Sequence, residues 1–166
     1  MSKSILIVRL SAIGDVIQST PVARQIKLQH PDCHLTWIVE RKGLAGIEHN
    51  PHIDRIVLMD TRSVASWAEL ISRMRGRFDL TLDLQCLAKS ALVTLAVGSK
   101  ERIGRVDARE GAKLIYTKRM PTHLNQIYIS QQYLEQGADL GLDPRDYIPE
   151  LFLAESDIEA AERLWG

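Results

Sequence analysis

The sequence predicts an α/β protein whose doubly wound, mainly parallel, Rossmann-like sheet is flanked by helices. Short apolar runs rich in β-branched residues alternate with longer segments of helical periodicity. Connections of that length between strands favour right-handed crossovers, which place successive strands parallel. The first run, at residues 5–8, leads through a turn that contains Gly14 into an amphipathic segment. These observations together predict an open sheet covered on both faces.

The elements follow from apolar spacing and from residues that end helices. Predicted strands lie at residues 4–8, 35–39, 55–59, 80–84 and 102–104. Predicted helices lie at residues 16–29, 64–74, 87–97, 124–141 and 156–165. Pro31 ends the first helix, and residues 156–159 have the form of a capping box that opens the last one. Residues 112–120 mix apolar and basic side chains, which favours a solvated edge beside a buried strand over a membrane-surface contact.

Composition limits the classes of function. The chain has 166 residues, and its 21 Lys and Arg balance its 21 Asp and Glu, so no bulk positive charge indicates a nucleic-acid partner. Any anion site must therefore come from local clustering. Cys33 and Cys86 are too few and too far apart for a disulfide framework or a zinc site, which indicates a reducing compartment. The first strand starts almost at once, so we expect no signal peptide and a cytoplasmic location.

The turn after the first strand holds the first candidate for chemistry. Asp15 follows that strand, and ligands of open α/β sheets bind at the carboxyl ends of strands. A helix start favours a charged carboxylate, which suits a general base or an orienting group. The alternative, favoured on these residues alone, is that Asp15 only caps the helix. Ser11 would contact a substrate or satisfy backbone groups, and Gly14 would allow a tight turn and close ligand approach.

Several segments, in order along the chain, resemble one family. RLSAIGDV at residues 9–16 resembles the N-terminal signature of the lipopolysaccharide heptosyltransferases, glycosyltransferase family nine. DLQCLAKS at residues 83–90 is similar to that family's segment after the fourth strand, with Cys86 where the family usually has glycine. Residues 102–104 and 108–110 continue the likeness, and His123 resembles the histidine before the acceptor-lobe helix.

The resemblance implies one lobe of a two-lobed GT-B glycosyltransferase. In that family the N-terminal lobe binds the acceptor and the C-terminal lobe binds most of the ADP-heptose donor. Residues 1–150 then correspond to the acceptor lobe, and residues 151–166 begin an interlobe or C-terminal segment, with the donor lobe absent from this chain. The family inverts the anomeric carbon without metal or cofactor, and Asp15 matches the position of its general base. The chain alone is expected to be inactive.

The family's acceptor is the inner core of lipopolysaccharide, which is rich in carboxylates and phosphates. Cations near the predicted strand ends would meet such an anion, because arginine makes forked contacts to these groups. Candidate acceptor-binding residues are Arg9, Ser11, Gly14, Arg41, Lys42, Lys89, Arg105, Arg109 and His123. For Arg41, Lys42 and Arg105, solvated surface charge explains the pattern equally well. An acceptor embedded in the inner leaflet also implies peripheral contact with the inner membrane.

Two other classes of function stay open. A stand-alone Rossmann-like nucleotide-binding module would fit the fold, but the first loop lacks the glycine-rich dinucleotide fingerprint and the chain has no phosphate-binding loop motif. A non-catalytic interaction domain that has lost its partner lobe is the third interpretation.

Overall fold

The computed structural model describes residues 3–121 and 128–165. In these ranges six strands form one sheet in which every neighbouring pair is parallel. The strands are β1 (Ser4–Val8), β2 (His34–Val39), β3 (Arg55–Leu58), β4 (Leu80–Asp83), β5 (Glu101–Arg105) and β6 (Lys118–Met120). Their order is β3-β2-β1-β4-β5-β6, so the direction of winding reverses between β1 and β4. The predicted doubly wound parallel sheet is confirmed.

Helices cover both faces of this sheet. They are α1 (Ile13–Gln18), α2 (Thr20–Gln29), α3 (Val64–Met74), α4 (Ala88–Val97), α5 (Ile129–Gln136) and α6 (Glu155–Trp165). Short 3-10 turns occupy Arg41–Gly46, Ala112–Leu114 and Ala138–Leu140.

The sheet has a separate apolar core on each face. Ile5 and Ile7 of β1 pack in a cluster with residues of α1, α2 and α5. Leu6 and Val8, which point to the opposite face, pack with residues of α3 and α4. A strand buried on both faces needs apolar side chains at every position, which explains the uninterrupted run that opens the sequence.

The first predicted helix is wrong in its bounds. The chain becomes helical at Ile13 rather than at residue 16, and Ser19 separates α1 from α2. The Ser19 hydroxyl donates to the carbonyls of Asp15 and Val16, and Pro21 has no N–H with which to continue the first helix. Asp15 therefore lies in the first turn of a six-residue helix.

The region after β5 also differs from the prediction. β6 was not predicted, because it is only three residues long and its Lys118 and Arg119 are exposed on the sheet edge. Its Met120 is buried, which supports the edge interpretation of residues 112–120. The predicted helix at 124–141 is wrong at its end, since α5 stops at Gln136 before a 3-10 turn. Residues 122–127, and with them His123, lie outside the described part of the chain.

The segment after α5 lies along α2. The Gln25 amide donates to the carbonyls of Asp143 and Asp146, both at 2.9 Å, and the Glu150 N–H donates to the Thr20 hydroxyl at 2.9 Å. The predicted last helix is present as α6, which has no buried residue. Within residues 3–121 and 128–165, no helix is long and apolar enough to span a membrane.

Gly104 of β5 makes room for the Tyr116 ring. A Cβ at Gly104 would lie 2.1 Å from Tyr116 Cε2. We therefore expect Gly104→Ala to lower the free energy of unfolding by about 1–3 kcal/mol, since the ring must move. The measurement is urea unfolding followed by circular dichroism.

Gly14→Ala is the matched control for this substitution. Gly14 is helical, and no atom lies within 4 Å of the position of its Cβ. The change should raise the free energy of unfolding by up to about 1 kcal/mol, because alanine favours helix. Equal stabilities of the two variants would show that Tyr116 is not fixed by Gly104.

Candidate functional site

A cleft of about 240 Å³ opens at the carboxyl edge of the sheet, beside the loops that follow β1 and β4. This is the reversal point at which doubly wound sheets bind ligands. We call it the central cleft. Its lining residues are Arg9, Ser11, Asp15, Gln85, Cys86, Leu87, Arg105, Asp107, Arg109, Ile129 and Tyr133. The structure thus brings together five predicted site residues from distant parts of the sequence: Arg9, Ser11, Asp15, Arg105 and Arg109.

A buried guanidinium holds the Asp15 carboxylate at the mouth of this cleft. Arg9 Nη2 lies 2.6 Å from Asp15 Oδ2, and Arg9 Nη1 donates to the Leu84 carbonyl at 3.1 Å. The Arg9 Cζ atom also lies 5.3 Å from the centre of the Tyr133 ring, in cation–π geometry. The Arg9 side chain is 7% exposed, whereas that of Asp15 is 49% exposed. The cation is therefore fixed, and the carboxylate remains accessible to a ligand.

Asp15 does not cap its helix, so the alternative interpretation of this residue is wrong. The N-cap residue of α1 is Ala12, and no side chain caps the first turn. The Asp15 carboxylate instead pairs with Arg9. The tight turn expected at Gly14 is also wrong, because this glycine is helical and outside the left-handed region. Open space at Gly14 does leave room beside Asp15.

Asp83 organises the loop that forms the opposite wall. Its buried carboxylate accepts hydrogen bonds from the N–H groups of Gln85 and Cys86, at 3.1 and 3.0 Å, and from the Tyr116 hydroxyl at 2.8 Å. Burial raises the pKa of Asp83, against the effect of these hydrogen bonds. The Gln85 side chain in turn accepts from the Leu10 N–H at 2.9 Å, so the loops after β1 and β4 are tied together.

Cys86 adopts a left-handed backbone, with φ of 56°. The segment at residues 83–90 resembles a family segment that usually has glycine here, and glycine adopts a left-handed backbone most easily. Cys86 therefore has the backbone conformation that a glycine would favour, although it carries a side chain. Burial raises the pKa of the Cys86 thiol to about 12, and the thiol donates to the Asp83 carbonyl at 2.9 Å. A thiol with that pKa is not a nucleophile at neutral pH.

A second cleft of about 400 Å³ lies beside the first, and we call it the side cleft. It is lined by Glu40, Arg41, Lys42, Met59, Asp60, Arg62 and Lys89. The basic residues predicted to converge on one edge of the sheet are divided between two clefts there. Arg41, Lys42 and Lys89 line the side cleft, whereas Arg9, Arg105 and Arg109 line the central cleft.

Glu40 partly neutralises the side cleft. Lys89 Nζ lies 2.7 Å from Glu40 Oε1, and Lys42 Nζ lies 3.4 Å from Glu40 Oε2. The Thr61 hydroxyl also donates to Glu40, at 2.8 Å. Burial favours a higher pKa for Glu40, but the hydrogen bonds from Lys89, Thr61 and Lys42 outweigh it and lower the pKa. The carboxylate is therefore ionised at neutral pH, and Lys89 and Lys42 are paired rather than free.

The cleft residues that sequence reasoning missed include Gln85, Tyr133, Glu40 and Arg62. Glu40 directly follows β2 and Gln85 lies two residues after β4, so the strand-end rule that selected Asp15 would have found both. Tyr133 gave no such signal, because α5 was predicted only as a longer helix. Within the described ranges, no group of three or more His, Cys, Asp or Glu could hold a metal ion.

The strand order and the cleft at its reversal point define one Rossmann-like lobe with a ligand crevice at its carboxyl edge.

No protein-family model matches the chain. Lipopolysaccharide heptosyltransferase 1 of Campylobacter coli is 36% identical over 93 residues, which are 54% of this chain and 27% of that protein. The lipopolysaccharide core heptosyltransferase OpsX of Haemophilus influenzae is 24% identical over 97% of this chain and 47% of its own length. The resemblance to lipopolysaccharide heptosyltransferases is confirmed.

Solved structures agree on the fold. A family 9 glycosyl transferase from Veillonella parvula matches 98% of this chain and 48% of its own, with a TM-score of 0.82 and 19% identity. E. coli heptosyltransferase WaaC with ADP-2-deoxy-2-fluoro heptose matches 85% of this chain and 49% of its own, with a TM-score of 0.71 and 24% identity. The chain spans about half the length of OpsX and of both solved chains, and about a quarter of the Campylobacter relative.

The pairing of Arg9 with Asp15 should contribute to stability as well as to the site. Asp15→Asn leaves a buried guanidinium without its anion, so we expect the free energy of unfolding to fall by about 1–3 kcal/mol. Arg9→Met combined with Asp15→Asn should show a coupling of about 0.5–3 kcal/mol in a double-mutant cycle measured by urea unfolding.

Glu159→Gln is the control for this cycle. Glu159 also pairs with an arginine, Arg163, but both side chains are exposed, so the free energy of unfolding should stay unchanged. Additive effects of the two site substitutions would contradict an energetic link between Arg9 and Asp15.

Proposed function

We propose that residues 1–150 form the acceptor-binding lobe of an inverting, metal-independent heptosyltransferase that uses ADP-heptose. In this proposal residues 151–166 lead toward a C-terminal donor lobe. One observation carries the proposal: the half-exposed carboxylate of Asp15 is held by buried Arg9 at the mouth of a cleft lined by further arginines. The names of the similar proteins supply the sugar and the acceptor class, because they are lipopolysaccharide heptosyltransferases.

Asp15 is the general base of the proposed reaction. As an acceptor hydroxyl attacks the anomeric carbon, its O–H bond breaks and the proton moves to the carboxylate. A bond forms between the acceptor oxygen and that carbon, and ADP leaves with the electrons of the bond it had made. Arg9 engages Asp15 Oδ2, and no described residue donates a hydrogen bond to Oδ1, so we assign the proton to Oδ1. The direct displacement inverts the configuration of the sugar.

The basic residues recognise the anionic acceptor in this proposal. Arg105 and Arg109 line the central cleft with Asp15, and Ser11 lines it too. Lys89, Arg41 and Lys42 line the side cleft, where they would bind a second carboxylate or phosphate of the inner core. Gly14 leaves space for the sugar beside the base, and His123 remains a proposed acceptor contact outside the described residues.

The remaining partners follow from the same proposal. The donor binds mainly to the C-terminal lobe in this proposal, so the lobe described here needs no cofactor or metal of its own and does not turn over alone. An acceptor held in the inner leaflet places the protein in the cytoplasm, in peripheral contact with the inner membrane. Nucleic acid is not among the proposed partners, because the chain as a whole carries no net positive charge.

Binding to the acceptor can be measured with this chain alone. We expect a phosphorylated inner-core oligosaccharide to bind in isothermal calorimetry, and Lys89→Ala or Arg109→Ala to weaken that binding roughly tenfold. Added salt should weaken binding further, since the contacts are ionic. Lys100→Ala is the control, because Lys100 is 83% exposed and lines neither cleft.

Two outcomes of this titration would argue against the acceptor lobe. Unchanged affinity in both the Lys89 and Arg109 variants would remove the anionic acceptor site. Tight binding of ADP-heptose without binding of the oligosaccharide would indicate a nucleotide-binding module instead.

The role of Asp15 requires a polypeptide that also carries a donor lobe. There, Asp15→Asn should lower kcat by about 10²- to 10⁴-fold, the usual contribution of a general base. Release of ADP measures the rate, and circular dichroism confirms that the variant is folded. Asp32→Asn, in the exposed turn before β2, should leave kcat unchanged. Near-normal turnover of Asp15→Asn would exclude Asp15 as the base.

A further inference from the structure

The outer face of the α3–α4 layer exposes a group of large apolar side chains. Val64 is 84% exposed, Leu92 52%, Leu95 47% and Ile71 40%. A shallow groove of about 600 Å³ between the helices is lined by Trp67, Arg75, Leu92, Leu95 and Ala96. We call this surface the α3–α4 patch, comprising Val64, Trp67, Ile71, Leu92 and Leu95.

Helix α4 carries large apolar side chains on its outer face as well as on its buried face. Val93 and Val97 are buried against the sheet, while Leu92 and Leu95 point away from it into solvent. Lys89 is the only charged residue between Ala88 and Val97. Surface helices usually carry polar side chains on their outer face, and a helix that is apolar all round is normally covered. The outer face of α4 is therefore a candidate surface for contact with an apolar partner.

The segment that carries α3 is basic. Residues 62–77 contain four arginines and one glutamate, although the chain as a whole has no net charge. Residues 86–100 contain two lysines and no acid, but Lys89 pairs with Glu40 and Lys100 pairs with Asp79. The one glutamate, Glu69, pairs with Arg73. In the described ranges, Arg62, Arg75 and Arg77 form no ion pair, so their charge is free for a ligand.

We propose that the α3–α4 patch docks on an anionic lipid bilayer. Its leucines and valine would enter the interfacial region, while the surrounding arginines bind lipid phosphates. This combination of an exposed apolar surface and a basic rim is complementary to an anionic membrane. A second copy of the chain fits less well, because two-fold symmetry would place two arginine-rimmed surfaces against each other.

This inference rests on the proposed function in one respect, which is that the membrane is the inner membrane. It adds to that proposal the surface of the protein that contacts the membrane. Arg62 lines the side cleft and is two residues from Val64, so the patch continues directly into the basic cleft. A membrane-anchored acceptor would therefore enter the side cleft from the edge of the docked surface and reach Asp15 beyond it.

Vesicle sedimentation with this chain tests the proposal. The probes are vesicles of phosphatidylcholine with phosphatidylglycerol and vesicles of phosphatidylcholine alone, neither of which contains lipopolysaccharide. We expect binding to the anionic vesicles that weakens with salt. Leu92→Gln combined with Leu95→Gln should weaken it about tenfold or more, and Arg75→Gln should weaken it roughly fivefold.

Two leucine controls locate the binding surface. Leu28→Gln changes a leucine of α2 that is 65% exposed on the other side of the sheet, and Leu114→Gln changes one that is 80% exposed in residues 112–120. Both should leave binding unchanged, and thermal melts confirm that each variant is folded. Loss of binding in Leu114→Gln but not in the double variant would overturn the proposal.

Two further outcomes would also overturn it. One is that the unaltered chain does not bind anionic vesicles. The other is a dimer, seen by analytical ultracentrifugation, that the double variant disperses, because the patch would then contact a second copy. The vesicles carry no acceptor sugar, so vesicle binding does not depend on the acceptor site. Failure of the membrane proposal can therefore be distinguished from failure of the proposed acceptor-binding function.

Discussion

The central cleft depends on the buried carboxylate of Asp83. Its oxygens fix the loop after β4 and the Tyr116 hydroxyl, while its backbone carbonyl accepts from the Gln136 amide at 2.7 Å. Gln136 also donates to the Ile103 carbonyl of β5, so α5 is anchored to the same point. A buried polar group is costly unless it is hydrogen-bonded, so these bonds restrict how the three segments can be arranged. That requirement positions three separate segments around the cleft.

Two further contacts connect the Asp83 loop to the candidate base, Asp15. Leu84, the next residue, offers its carbonyl to Arg9, and Arg9 in turn holds Asp15. Tyr133, on the α5 helix that Gln136 anchors, supports the Arg9 guanidinium with its ring. The geometry of the carboxylate is thus set by β4 and α5 as well as by its own short helix. A side chain on the surface acquires a fixed orientation because its partner is buried.

The sequence allowed the sheet and part of the site to be predicted for a specific physical reason. Strands buried on both faces require continuous apolar runs, and the ends of parallel strands meet at one edge, so Asp15, Arg105 and Arg109 could be assigned together. Interactions that depend on tertiary packing gave no local pattern. The Arg9–Asp15 pair replaced the cap that local rules favoured, and β6 carries too few residues to show alternation. Lys89 could be placed at a strand end, but its pairing with Glu40 depends on β2, which is two strands away from β4 in the sheet.

Several cations of the two clefts are already paired, and this affects how an anion would bind. Lys89 contacts Glu40, and Arg105 Nε lies 3.0 Å from Asp107 Oδ1. A single carboxylate offered by a ligand would replace one such pair with another and gain little free energy, because pairs of this kind are individually weak. An acceptor that carries several carboxylates or phosphates can engage both clefts at once, and its second contact then forms within the bound complex rather than from solution. The arrangement therefore favours a polyanionic sugar over small anions, although the chain has no net positive charge.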